Sequence, residues 1–104
     1  MIISTTNRLP DKKVYRVIGV VSGNTVRTRW IGRDIAAGLK TIIGGEIKGY
    51  AEMITLARKD VMRQMEEKAK QKGANAIIGV RYSTTSVMGG AAEILVYGTA
   101  VKVK

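Results

Sequence analysis

The chain has no cysteine, no histidine and no phenylalanine, and only one proline and one tryptophan. Without cysteine there are no disulfides and no thiolate nucleophiles, a composition compatible with a reducing cytosol. Without histidine the usual general base near neutral pH is also missing. Together the two absences remove the preferred side-chain ligands of soft metals, leaving only methionine sulfur. Acidic residues are scarce, 8 against 18 basic ones, for a formal charge of +10. No apolar run approaches the roughly 20 residues of a membrane-spanning helix. The start, Met1-Ile2-Ile3-Ser4-Thr5-Thr6, lacks a basic region followed by a long apolar stretch, so it does not read as a signal peptide. The expectation is a soluble cytoplasmic protein with no membrane partner.

What is present fits one domain spanning residues 1–104. A chain of this size buries roughly 60–70% of its unfolded surface. That leaves a thin margin, which burial between subunits would widen. Met1 to Thr5 reads as a short strand, and Asn7 to Lys12, with Pro10 and Asp11, as a turn. Lys13 to Ser22 is rich in β-branched residues and reads as a strand. Apolar side chains on both faces at Val20 and Val21 predict that it is central or covered there. Ser22-Gly23-Asn24 carries turn chemistry, with Thr25 to Arg29 a returning strand.

Residues 33 to 43 have helical spacing, and Gly44-Gly45 ends that short helix. A long helix is predicted from Glu46 to Lys72. Its apolar stripe is Ile47, Tyr50, Ala51, Ile54, Ala57, Val61, Met65 and Ala69. Lys68, Lys70 and Lys72 suit the negative end of the helix dipole, and Glu66 and Lys70 have the favourable i,i+4 order. Gly73 stands where a left-handed residue closes a helix. Asn75 to Val87 and Ala92 to Val103 read as strands joined in a hairpin by Met88-Gly89-Gly90-Ala91. The class is α+β: an antiparallel sheet packed on a long helix, with a shorter helix before it.

The charge is uneven, with a net +6 in residues 1–45. Arg27, Arg29, Trp30 and Arg33 fall within seven residues, and in an extended segment Arg27 and Arg29 point the same way. Guanidinium forks bind phosphate and an indole stacks on bases, so these four are the candidate contacts for a polyanion or nucleic-acid partner. The competing reading is a solvated basic surface with Trp30 as a packing anchor. Gly44-Gly45 precedes a helix start that could hold an anion, but the lysine and spacing of a P-loop are absent, and a tight turn is the simpler reading. Hydroxyls are plentiful (Ser4, Thr5, Thr6, Ser83, Thr84), with no histidine to activate one. No catalytic constellation and no cofactor motif is visible, and Ser83 to Ser86 reads as a strand with one wet face.

Taken in order, Ser4-Thr5-Thr6, Gly19-Val20-Val21-Ser22-Gly23, Arg33-Asp34, Gly44-Gly45, Tyr50, Ala57-Arg58, Gly73-Ala74-Asn75-Ala76, Gly79-Val80-Arg81, Glu93 and Tyr97-Gly98-Thr99-Ala100-Val101 resemble the YbjQ-like family of small uncharacterised proteins. The resemblance runs the whole length of the chain. It implies an α+β subunit that assembles into a homopentamer, and it brings the label "putative heavy-metal-binding" with no established catalytic residues. Of the matching positions, Gly44, Gly45, Gly73, Ala74, Asn75, Ala76 and Gly98 are expected to be structural: glycine for turns and helix closure, small alanines for close packing, and Asn75 bonding local backbone groups. For a soft metal the chain offers only Met1, Met53, Met62, Met65 and Met88, and the spacing of Met62 and Met65 also suits core packing. A hard cation could draw on Asp34, Glu46 or Glu93, with oxygens converging between subunits. Two departures from the family pattern remove negative charge: Ser83 follows Tyr82 where aspartate is usual, and the chain is strongly basic. The leading expectation is a non-enzymatic oligomeric binding or scaffold domain. Polyanion binding and hard-cation binding at subunit interfaces are the alternatives.

Overall fold

A computed structural model describes residues 1–27, 45–87 and 91–104, with the backbone alone at 45–48 and 87. The elements are β1 (Ile2–Ile3), β2 (Val14–Arg27), α1 (Gly45–Gln71), β3 (Ala76–Val87) and β4 (Ala91–Val103). They form one four-stranded sheet in the order β1-β3-β4-β2, with α1 packed on one face. The three long strands are antiparallel. The two-residue β1 joins parallel to β3, so the sheet is mixed. Parallel entry follows from the connectivity, because β1 reaches the outer edge of β3 without a hairpin between them. Residues 28–44 and 88–90 lie outside the described residues, and with them the predicted 33–43 helix and Gly44.

The core is where the periodicity places it along most of α1. Ile54, Ala57, Val61, Met65 and Ala69 are buried against Val21, Ile77, Val80, Ala92, Ile94, Val96 and Ala100. Tyr50 and Ala51, predicted in the same stripe, are exposed, because α1 meets the sheet only from Met53 onward among the described residues. Helix closure is a Schellman motif. Ala74 N–H donates to the Ala69 carbonyl and Gly73 N–H to the Lys70 carbonyl, with Gly73 at φ +86°. Asn75 then ties the next strand across the sheet. Its amide donates to the Val103 carbonyl at 2.9 Å and accepts the Val103 N–H at 2.8 Å. These are long-range bonds rather than the local ones its turn chemistry suggests. Ala74, Ala76 and Gly98 are buried, as close packing of this junction requires.

Two readings of β2 are corrected. Ser22-Gly23-Asn24 is not a turn, since β2 continues unbroken to Arg27 and pairs with β4 through Ser22↔Tyr97, Gly23↔Val96 and Asn24↔Leu95. Gly23 is small because the helix lies on it. A Cβ there would collide with the Val61 carbonyl. Nor is β2 central among the described strands, where it pairs only with β4. Of the two faces at that end, the one carrying Val21 is covered by α1, while Val20, on the other, is 72% exposed.

Candidate functional site

Sheet alternation sorts the side chains of β2 and β4 into a helix side and a bare side. Val21, Gly23, Thr25 and Arg27 face α1 with their partners Gly98, Val96, Ile94 and Ala92. Arg27, the first residue of the basic stretch, is held there. Its Nη2 donates to Asp60 Oδ2 at 3.4 Å, while Arg63 Nη2 reaches Asp60 Oδ1 at 2.7 Å and Gln64 Nε2 reaches Oδ2 at 3.2 Å. The Arg63 hydrogen bond, helped by Gln64 and the two guanidinium charges, holds the Asp60 carboxyl below its usual range. Gln64 also accepts the Asn24 N–H, and Lys68 Nζ donates to the Ser22 carbonyl. The cluster therefore clamps α1 along β2, with Arg27 supplying one of its charges. Arg29, Trp30 and Arg33 lie outside the described residues.

The metal candidates among the described residues do not converge. Among the described residues no group of three His, Cys, Asp or Glu side chains stands together. Met65 is fully buried in the core, and Met62 and Met53 pack half-buried beside it, which is the packing role of a thioether. Glu93 is half-buried on the bare side of β4, opposite Val26 on one neighbour and Thr85 on the other. Asp34 and the Glu46 side chain lie outside the described residues. At the N-terminal segment, Thr6 Oγ1 donates to the Arg8 carbonyl and Ser4 Oγ to Thr6 Oγ1, leaving the pair bonded to one another. Arg81 donates to the Thr5 and Val80 carbonyls, which fastens that segment to β3. From Arg81 to Ser86 β3 is exposed on both faces, wetter than the one-sided alternation predicts.

The bare side of the sheet is its most unusual surface. At one end Leu9 and Val14 cover Ala76, Ile78, Val101 and Val103 in a small second core. Beyond that end the face is open. Val17 is 66% exposed, Val20 72% and Val26 53%, with Tyr97 exposed beside them on β4. This apolar row lies along an edge strand of 14 residues, about 45 Å long at normal strand rise, whose outer edge pairs with no described strand. The apolar residues on both faces at Val20 and Val21 are its sequence signal, whereas Val17 and Val26 read as core residues and are found exposed only in the structure. No helix among the described residues is long and apolar enough to cross a membrane.

The family model described as "Putative heavy-metal-binding", the YbjQ family, matches residues 1–104. A UPF0145 protein of Thermotoga maritima is 55% identical over 104 residues, covering all of this chain and 98% of the relative. One from Colwellia psychrerythraea is 51% identical, covering 100% and 99%. A crystal structure from Pediococcus pentosaceus, a protein of unknown function described as a DUF74 member, superposes with a TM-score of 0.67 at 18% identity. That likeness covers 100% of this chain and 98% of the other, and it shows the fold. The chain belongs to the YbjQ (UPF0145) family, as the resemblance in its motifs implied.

Proposed function

We propose that the chain is a non-enzymatic, self-assembling binding domain of the cytoplasm, a homopentamer as the resemblance implies, whose subunits meet through the bare side of the sheet. The observation that carries this is the exposed row Val17, Val20 and Val26 on β2, the outermost described strand on its side of the sheet, with Tyr97 exposed beside it on β4. Leaving large side chains of that kind in water forfeits about 1.5–3 kcal/mol each. An uncovered apolar edge also invites indiscriminate strand pairing, and natural sheets cover or charge such edges. A second copy covers it at no cost in specificity. Sedimentation of Val20→Lys beside the parent tests the assignment. The variant is expected to be smaller in solution with unchanged circular dichroism, and an unchanged sedimentation coefficient contradicts it.

The family description brings a second reading, a metal held between subunits. Glu93 supports it, as a carboxylate on the bare side that five copies would bring into one assembly. Oxygen donors suit a hard cation better than a heavy metal. Elemental analysis of untagged protein, with Glu93→Gln as the control, tests it. Metal retained by the parent and lost in Glu93→Gln supports the site, and no uptake on titration removes it.

A further inference from the structure

We propose that the pole of the subunit where β2 begins and β4 ends binds the phosphate backbone of single-stranded nucleic acid. Lys13 and Lys104 exchange both backbone hydrogen bonds, N to O at 3.1 and 3.0 Å, so they are directly opposite one another. Val14↔Val103 follows in register, and the next pair on the same face as Lys13 and Lys104 is Arg16 and Lys102. Val14, Val101 and Val103 fill the small core on the bare side, so all four cations project on the helix side. Two successive cross-strand pairs thus set cation against cation, an arrangement that destabilises a sheet. Among the described residues no side-chain carboxylate forms an ion pair with them. The ion pairs among the described residues involve only Arg27, Arg63 and Lys70, and the nearby Asp11 in the turn makes none of them. α1 ends over the same patch. A Cβ on Gly73 would come within 3.9 Å of Lys102 Cε, which places the end of α1, with Lys72, at the border of the patch.

Repulsion left standing in four cations is relieved by an anion that bridges them, and their tandem spacing along two strands suits a chain of phosphates better than a single one. An aromatic ring sits among them. Tyr15, the extra residue of a bulge between the two pairs, is half exposed, and Lys104 Nζ lies 5.1 Å from its ring centre. A cation beside an open ring is the pairing that stacks bases while holding their phosphates, and it favours nucleic acid over a lipid surface. The patch belongs to one subunit and does not depend on the assembly proposed above. It is also a different surface from the Arg27 segment.

The test is fluorescence anisotropy of the full chain with a labelled uridine oligomer across a salt series. Binding is expected to weaken linearly in log salt. Arg16→Glu with Lys102→Glu is expected to weaken it about tenfold or more and to flatten the slope by about 1–2. Arg58→Glu with Lys59→Glu makes the same charge change on the exposed side of α1, and is expected to weaken it less than about threefold, as screened charge at a distance should. Lys102→Glu alone converts one like-charge pair into an opposite pair, so it is expected to melt higher than the parent while binding more weakly. Equal loss in the two double variants overturns the proposal. So does absence of oligomer binding by the parent at low salt, binding to anionic vesicles without binding to the oligomer, or a lower melting temperature for Lys102→Glu.

Discussion

Gly23 lies directly beneath Val61: a Cβ on the strand residue would strike the helix carbonyl and crowd the Cβ of Gln64. This contact sets how close α1 comes to β2, and the clamp around Asp60 and the Lys68–Ser22 bond depend on that distance. Backbone cannot swing aside as a side chain can. Gly23→Ala is therefore expected to cost about 1–3 kcal/mol by overpacking, and Gly23→Val more. Urea melts check this, and a midpoint equal to the parent's contradicts it.

Gly73→Val acts through conformation rather than contact. At φ +86° a β-branched residue is strained, and only the flexible Lys102 stem lies near. A loss of about 1–2 kcal/mol is expected, from the cost of a left-handed residue. Parent-like thermal melts would show that the closure does not depend on glycine.

Asn75→Ala removes two bonds to Val103, with an expected loss of about 1–3 kcal/mol. Asn75→Asp keeps the shape and the acceptor but turns the donor into a second oxygen facing the Val103 carbonyl, so it is expected to be no better than alanine. Recovery of stability in the aspartate variant would reassign the role of this residue.

Asp60 makes stability depend on pH in a defined direction. Its carboxyl is lowered from 3.8 by the Arg63 hydrogen bond first, then Gln64 and the charges of Arg63 and Arg27. A depressed folded value means the stabilisation is present above 3.8 and is lost as pH falls through the lower folded value. Asp60→Asn should melt below the parent at neutral pH, and the gap should close in strong acid. A gap that stays constant with pH would contradict the ionic origin of the clamp.

The legible part of the fold is the part governed by local pattern. The α1 stripe from Ile54 to Ala69, the Gly73 closure and the β3–β4 pairing all announce themselves within a few residues. Gly23 misleads because Ser-Gly-Asn serves a turn and a close helix approach equally well, and only the partner Val61 decides between them. Val20 and Val21 suggest a central strand for a similar reason. Apolar residues on both faces report that both faces are covered, and cannot say whether the cover is the same chain or another. The Lys13–Lys104 and Arg16–Lys102 pairs have no signal at all, since their members come from opposite ends of the sequence and meet only through the β2–β4 register. The basic stretch around Arg27 draws attention by its density, yet Arg27 itself is bonded to Asp60.

If the bare side of the sheet is an interface between copies of this chain, Val20 is the residue most sensitive to it. It is 72% exposed in the subunit. A lysine there should alter the isolated fold by no more than about 0.5 kcal/mol. Native mass spectrometry of untagged parent and Val20→Lys reads the assembly directly. A pentamer is expected for the parent and a monomer for the variant, with its fold intact. A monomeric parent, or a variant that assembles as the parent does, would contradict that interface.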